Sequence, residues 1–311
     1  MRDDLRPVDA ITIAFLALLS LILIAFTTRD SGALTVAGIN IAAGIGLFFL
    51  ARTCSRAPNK LLTPIYHWYP VVAIFLVFKE VHIVQQKLGG ADWDNLLIAI
   101  DHAIFGVHPT QWLQQFASPA LTELLQISYA SYYFIMLAAG IEVFLQHDRE
   151  KFSYVLFTIV YGFFLSYLGY IIFPAVGPRF TLHDFYALDN DLPGMFLSTP
   201  IRNFLNAGES IPAGTLNAIA LAQRDAFPSG HVEMTLISLY LAYHYRLKSR
   251  YVLTFFGALL IFSTVYMRYH YVIDVAGGVV FMLVTIWTAP AIVSWWKGKG
   301  KMSSDTNNRP R

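Results

Sequence analysis

Long apolar runs alternate with short polar stretches along the chain. Each run approaches the roughly 20 residues that a helix needs to cross a hydrocarbon core of about 30 Å. Membrane-spanning strands would show shorter, alternating segments, so helices are the expected elements. The runs are 10–26, 32–51, 65–84, 121–145, 152–173, 228–245, 251–267 and 272–296. The pattern predicts an all-α fold, a polytopic membrane bundle with about eight transmembrane helices.

The third run is the least regular, because Lys79 and Glu80 interrupt it. Between it and the fourth run, residues 93–105 carry an apolar stripe with Asp94 and Asp101 on the other side. A helix with that pattern is typical of the membrane interface.

One connection is much longer than the rest. Residues 175–227 form a stretch of about fifty residues that is rich in Pro and Gly, against roughly two to eight for an ordinary helix connection. We expect it to shape a substrate site, with a passive linker as the alternative, and a short helix is expected at 215–223. The expected domains are N-terminal helices with the interfacial helix (1–120), a catalytic membrane core (121–297) and a disordered cytoplasmic tail (298–311).

Composition agrees with a membrane protein. Hydrophobic residues make up 56% of the 311 and charged residues only 14%, against about 25% charged in soluble domains. A formal charge of +2 without a basic face makes nucleic acid a poor partner. Cys54 is the only cysteine, which excludes an intramolecular disulfide and a Cys-x-x-Cys site.

The Lys and Arg residues predict the orientation. With both termini cytoplasmic, fifteen of the 22 basic residues fall inside and seven outside, as the positive-inside rule requires. The clusters at 246–250 and 297–301 anchor the C-terminal half. This topology places three polar segments together at the non-cytoplasmic face: 173–179, 227–231 and 268–274.

These segments carry the candidate chemistry. Pro228 suits the first turn of a helix, and Ser229 with Gly230 can present a hydroxyl and backbone N–H groups to an anion. His270 and Asp274 are four residues apart, so on a helix the carboxylate can orient the imidazole and leave one ring nitrogen free.

Other readings of these residues stay open. Each signal alone is common in structural helix starts and interfacial pairs, and Arg179 alone could reach lipid headgroups. A further alternative is a metal site formed by His231, His270 and Asp274, whose side chains are suitable ligands.

Together the segments resemble the type 2 phosphatidic acid phosphatase and vanadium haloperoxidase superfamily. Its Pro-Ser-Gly-His motif matches residues 228–231, and its His-x-x-x-Asp motif matches His270 and Asp274, followed by small residues at 277–278. The resemblance covers roughly 154–287 and implies a six-helix phosphatase-type core.

Two family positions differ. Ile172 stands where the first motif has a lysine, and Thr264 stands where an arginine precedes the last histidine, while Arg268 lies closer to that histidine. This variant resembles the branch of inositol phosphorylceramide synthases, which transfer a phosphorylated headgroup to an alcohol. The same branch carries an upstream segment seen here as Asp101, Phe105, Gly106 and Pro109.

The resemblance implies roles for each residue. His270, oriented by Asp274, attacks phosphorus, and His231 acts as general acid and base. Phosphate is held by four residues: Arg179, Ser229, Gly230 and Arg268. No metal or other cofactor is implied.

The implied substrate is a membrane phospholipid or lipid pyrophosphate, and water, an alcohol or a lipid is the acceptor. The alternative of a different class is a non-enzymatic lipid transporter or anion-binding membrane protein. Transport predicts repeated halves with broken helices, and no internal repeat is visible in the sequence.

Overall fold

The computed structural model describes residues 4–26, 31–146 and 148–306, and every regular element in these ranges is a helix. The predicted all-α fold class and the polytopic helical bundle are confirmed. Helices satisfy their own backbone hydrogen bonds, which is why apolar runs of this length adopt them in lipid.

Three long helices begin the chain: α1 (Pro7–Phe26), α2 (Ser31–Arg56) and α3 (Leu62–Leu88). Pro7 is the first helical residue of α1, where its missing N–H has no intrahelical partner to lose. Asp9 joins α1 to α3, because its buried carboxylate accepts the hydroxyls of Tyr66 at 2.5 Å and Tyr69 at 2.8 Å. Arg6 supplies the compensating charge at 3.0 Å.

Two shorter helices follow, α4 (Asp94–Phe105) and α5 (Pro109–Leu113). The helix expected at 93–105 is α4. Asp94 and Asp101 are only 4% and 2% exposed, whereas Ile104 and Phe105 are 62% and 48% exposed. The helix therefore turns its carboxylates into the protein and apolar side chains outward, and its location at the membrane interface stays a prediction.

The fourth apolar run is not one continuous helix. It forms α6 (Pro119–Ala130) and α7 (Tyr132–Leu145), which are bent by 44° at Ser131. The hydroxyl of Ser131 donates to the carbonyl of Ser128 at 2.6 Å, and its N–H is shared between the carbonyls of Ile127 and Ser128. This local bonding competes with the regular helical ladder, and the apolar pattern gives no sign of it.

The remaining helices are α8 (Arg149–Ile172), α9 (Pro178–Thr181), α10 (Leu188–Asp191), α11 (Ser198–Gly208), α12 (Ala218–Leu221), α13 (Gly230–His244), α14 (Arg250–Tyr266) and α15 (Val272–Thr306). Residues 175–227, called the long connection below, contain α9 to α12. The helix expected at 215–223 corresponds to α12. The connection has a small apolar core of its own, formed by Val176, Ile211, Ala218 and Ala222.

Within the described residues, five helices are long and apolar enough to cross a membrane by length and composition: α1, α2, α3, α8 and Val272–Gly298 of α15. The bent pair α6–α7 makes a sixth if it counts as one span. Helices occupy all eight predicted runs, but α14 has only 17 residues and α13 only 15. At 1.5 Å per residue α13 is about 22 Å long, less than a hydrocarbon core of about 30 Å.

The chain divides into two compact units. One comprises Met1–Gly89, Asp148–Phe164 and Val284–Arg311, and the other comprises Gly90–His147 and Leu165–Leu283. All of the predicted site residues belong to the second unit. The domain boundaries expected at 120 and 297 stay a prediction. So does the disordered tail at 298–311, which falls partly outside the described residues.

Candidate active site

The Pro-Ser-Gly-His segment begins α13. Ser229 is its N-cap residue, and the hydroxyl accepts the N–H three residues further on at 3.4 Å. The N–H of Ser229 donates to the carbonyl of Asp274 at 3.0 Å, so α13 and α15 begin side by side. A Cβ on Gly230 would collide with the hydroxyl of Tyr170. Glycine at this position therefore allows the close approach that places His231 in the first turn of α13, near the positive end of the helix dipole.

The two imidazoles of the motifs face each other. Nδ1 of His231 lies 3.4 Å from Nε2 of His270, and the ring centroids are 5.5 Å apart. Nδ1 of His270 lies 2.9 Å from the carbonyl oxygen of Ala226. A carbonyl can only accept a hydrogen bond, so Nδ1 carries the proton and the neutral ring has its lone pair on Nε2. The unprotonated nitrogen, Nε2, is the one that faces Nδ1 of His231.

Asp274 lies beside His270 but does not make the expected hydrogen bond. Its Oδ2 is 3.6 Å from Nδ1 of His270, and it accepts the backbone N–H of Tyr271 at 2.8 Å. The peptide of Ala226 passes closer to the ring and takes the hydrogen bond instead. In this structure, Asp274 therefore contributes a nearby buried carboxylate and fixes the peptide that follows His270.

Two tyrosines enclose His231. The ring of Tyr129 stacks on the imidazole with the ring centroids 4.5 Å apart, and the centroid of the Tyr132 ring lies 4.3 Å from that of the imidazole. The Tyr129 hydroxyl is 3.4 Å from Nδ1 of His231. These tyrosines flank the bend at Ser131, and the sequence pattern alone gave no reason to place them at the site. The bend itself was the missing signal.

Arg179 is held at the start of the long connection. Gly177 has φ +90°, and a Cβ there would lie 2.6 Å from the carbonyl oxygen of Tyr269. The N–H of Arg179 donates to the carbonyl of Arg268 at 3.0 Å, which joins two of the predicted polar segments. The guanidinium lies over the Tyr269 ring at 4.8 Å, and it is within electrostatic range of both imidazoles.

The guanidinium of Arg179 is already paired. Nη2 forms an ion pair with Glu209, and Nη1 donates to Oδ1 of Asn206 at 3.1 Å. Its Nε is buried without a hydrogen-bond partner in the described part of the chain. An anion that binds Arg179 through both terminal nitrogens therefore competes with groups from the end of α11.

Arg268 is fully buried and adopts a left-handed backbone with φ +66°. Its Nη1 donates to Asp191 of α10 at 2.7 Å. Within the described ranges, Nε and Nη2 of this guanidinium have no hydrogen-bond partner. Arg268 lies two residues before His270 in the chain, and the structure pairs it with Asp191, a carboxylate that the sequence pattern did not mark.

Burial shifts the pKa values of His270 and Asp225. It lowers the pKa of His270 to about 4, although the Asp225 carboxylate works in the opposite direction. Burial, together with the carboxylate of Glu209, raises the pKa of Asp225 to about 6. At neutral pH His270 is therefore uncharged, with its Nε2 lone pair available.

The residues that sequence reasoning missed come mainly from the long connection. They are Asp191, Asn206, Glu209 and Asp225. No periodic pattern marks them, because a connection of this length has no regular register from which side-chain direction can be read.

A metal site was the alternative use of these histidines. Among the residues that the structure describes, no group of three or more His, Cys, Asp or Glu side chains is placed to hold a metal ion. The arrangement of His231, His270 and Asp274 does not supply one.

One of three comparisons with known proteins identifies a family. No curated protein and no solved structure matches the chain. A family model described as the PAP2 superfamily matches residues 95–288, which is more than half of the 311 residues. The match includes the two histidine motifs and the whole long connection. The chain therefore belongs to the PAP2 superfamily.

Proposed function

We propose that this protein is a membrane-embedded enzyme that cleaves the phosphoester of a lipid and passes the phosphoryl group or phosphorylated headgroup to water or an alcohol. Membership of the PAP2 superfamily indicates a phosphatase or phosphotransferase in general terms. Several long apolar helices fit a multi-pass membrane protein. The observation that carries the finer proposal is the unprotonated Nε2 of His270, which faces Nδ1 of His231 inside a buried site.

In the first half-reaction, Nε2 of His270 attacks phosphorus. A P–N bond forms, the P–O bond to the leaving group breaks, and protonated His231 gives its proton to the departing alkoxide. The Ala226 carbonyl keeps the proton of His270 on Nδ1, and the nearby Asp274 carboxylate stabilises the positive charge that develops on this ring.

In the second half-reaction, neutral His231 removes the proton from water or an alcohol. The oxygen attacks phosphorus, the P–N bond breaks, and His270 is restored. Hydrolysis and headgroup transfer share the first half-reaction and differ only in this acceptor. One site can therefore support either outcome.

Phosphate binding is assigned to Arg179, with Arg268 and the start of α13 as further contributors. Cationic and N–H donors aimed at the nonbridging oxygens stabilise an in-line transition state. The Ser229 hydroxyl caps α13, so its contact with phosphate requires the hydroxyl to serve both groups.

For the substrate, we propose a phospholipid, with inositol phosphate transfer to a sphingolipid or diacylglycerol as the reaction type. The support is the resemblance of the Asp101 to Pro109 segment and of the altered arginine positions to the inositol phosphorylceramide synthase branch. The distribution of Lys and Arg supports cytoplasmic termini and a site at the non-cytoplasmic face.

The decisive experiment uses purified full-length protein in detergent. Phosphatidic acid is offered alone, and phosphatidylinositol is offered with and without ceramide or diacylglycerol, while free phosphate and transferred headgroup are measured. His270→Ala is expected to abolish both products, and substrate labelled in its phosphate is expected to leave acid-labile label on the wild-type protein.

His244→Ala is the matched control. This histidine is exposed at the opposite end of α13, so its removal is expected to leave turnover unchanged. Full activity of folded His270→Ala would rule out His270 as the nucleophile. Absence of either product from the wild-type protein with every lipid would favour a non-enzymatic anion-binding protein.

A further inference from the structure

Helix α4 contributes two buried carboxylates whose hydrogen bonds go to distant backbone. Asp94 accepts the N–H of Val176 at 3.0 Å on one oxygen and the N–H of Gly177 at 2.9 Å on the other. These peptides lie three and two residues before Arg179, respectively. Asp94 therefore fixes the start of the segment that carries this guanidinium.

Asp94 also reaches the histidine segment. Its Oδ1 accepts the hydroxyl of Tyr271 at 2.7 Å, and the same hydroxyl lies 2.6 Å from Oγ1 of Thr181. Tyr271 directly follows His270, and Thr181 ends the helix α9 that contains Arg179. One carboxylate thus links the arginine segment to the histidine segment.

Asp101 lies two turns further along α4 and also binds distant backbone. Its two oxygens accept the N–H groups of Val272 and Ile273, each at 2.8 Å. These are the first residues of α15, whose free N–H groups and dipole favour a negative partner. Asp101 therefore anchors the backbone directly after His270, although it lies about 170 residues earlier in the chain.

We propose that Asp94 and Asp101 are positioning residues, an inference that rests on the proposed function. Asp94 holds Arg179 where its guanidinium can bind the substrate phosphate, and Asp101 holds the ring of His270 where Nε2 can attack phosphorus. Neither carboxylate is assigned a contact with substrate. Their effects differ because Asp94 holds the anion-binding segment, whereas Asp101 holds only the backbone beside the nucleophile.

The test uses Asp94→Asn and Asp101→Asn in the full-length protein. Each substitution keeps the side-chain volume but replaces one accepting oxygen with an NH₂ group that faces a backbone N–H. Steady-state kinetics give KM and kcat, and orthovanadate, a tetrahedral phosphate mimic, reports anion binding independently of turnover.

Asp94→Asn is expected to raise both KM and the Kd for orthovanadate about tenfold or more. Asp101→Asn is expected to lower kcat by about 10²-fold, as misplacement by about 1 Å does, and to leave the orthovanadate Kd within about twofold. Tyr271→Phe removes only the hydroxyl that bonds Asp94 and Thr181, so it gives a milder form of the Asp94→Asn result even if that variant folds poorly.

Glu142→Gln is the matched control. Glu142 also accepts two backbone N–H groups before a helix, those of Lys248 at 2.5 Å and Ser249 at 3.1 Å. It does so near the C-terminal end of α13, about 20 Å along that helix from His231. Glu142→Gln is expected to lower the unfolding temperature, because these backbone hydrogen bonds are weakened, and to leave KM, kcat and orthovanadate binding unchanged.

The outcomes separate the two proposals. Wild-type protein that binds orthovanadate but turns over no lipid phosphate refutes the proposed function, while the Asp94→Asn and Tyr271→Phe titrations still test the positioning of Arg179. Wild-type kinetics and orthovanadate binding in Asp94→Asn and Asp101→Asn, with only the stability loss of Glu142→Gln, overturn the positioning roles. Wild-type protein that shows neither turnover nor orthovanadate binding overturns both.

Discussion

Glu209 offers the sharpest test of the anion site, because its carboxylate occupies the guanidinium that we propose binds phosphate. In the structure Glu209 pairs with Nη2 of Arg179, while Asn206 holds Nη1. Glu209→Gln removes the charge and keeps the shape. We expect it to destabilise the empty protein and to strengthen the binding of a phosphate-like anion.

The size of the effect follows from burial. The side chain of Arg179 is 5% exposed and that of Glu209 is 15% exposed. Breaking a buried ion pair costs about 3–5 kcal/mol, and the partial exposure of Glu209 favours the lower end, about 3 kcal/mol. In the wild-type protein, a phosphate that displaces Glu209 must break this ion pair. If half of that free-energy cost is absent in the variant, orthovanadate binding becomes more favourable by about 1.5 kcal/mol, which lowers its Kd roughly tenfold.

The assay combines orthovanadate titration with thermal unfolding. Glu209→Gln is expected to unfold at a lower temperature than the wild-type protein without orthovanadate and to bind it about tenfold more tightly. Saturating orthovanadate is expected to reduce the difference in unfolding temperature between the variant and the wild-type protein. A ligand stabilises the folded state in proportion to the logarithm of its concentration over Kd, so the tighter-binding variant is stabilised more.

The matched control is Asp189→Asn in the same connection. Asp189 pairs with Arg202 in a similar way, but its side chain is 51% exposed. We expect a stability change below about 1 kcal/mol and unchanged orthovanadate binding. If Glu209→Gln binds orthovanadate no better than Asp189→Asn does, Arg179 is not the anion site that we propose.

Three further substitutions test the site. Burial lowers the pKa of His270 to about 4 and raises that of Asp225 to about 6. Asp225 is therefore already protonated where His270 titrates, so Asp225→Asn should leave the His270 acid limb of the kcat/KM profile in place; a limb displaced by a full pH unit contradicts this order of titration. Asp274→Asn should lower kcat by about 10²–10³-fold without unfolding the protein, and a twofold change in steady-state rate would argue against its electrostatic role. Gly278→Ala would place a Cβ 2.6 Å from the carbonyl oxygen of Ser229 and should lower the free energy of unfolding by about 1–3 kcal/mol; denaturation at the wild-type midpoint would refute that close approach.

The sequence predicted the helices well because their signal is local. An apolar run of about 20 residues has few stable alternatives in lipid, and all eight runs are helical. The bend at Ser131 depends instead on one hydroxyl bonding to the preceding turn. Hydropathy does not detect such a bond, so a continuous helix was expected where the structure has two.

The meeting of the histidines was predictable for a different reason. Counting spans places the start of α13 and the start of α15 at one face, and the structure brings His231 and His270 to 3.4 Å. The exact partner of His270 was not predictable, because the position of Ala226 depends on how the long connection returns to α13. That path is set by tertiary contacts, including the N–H of Ala226 donating to the carbonyl of Ala175 at 3.1 Å.

The long connection also explains what the altered arginine pattern means physically. Both arginines assigned to phosphate binding are paired with carboxylates from this connection, Arg179 with Glu209 and Arg268 with Asp191. A phosphate that takes either guanidinium therefore competes with a carboxylate tethered nearby, at high effective concentration. Substrate binding then depends on whether contacts between the rest of the substrate and the long connection offset the loss of these ion pairs. Under the proposed function, discrimination between headgroups belongs to residues 175–227, while the helix-borne motifs supply the chemistry that any phosphoester would share.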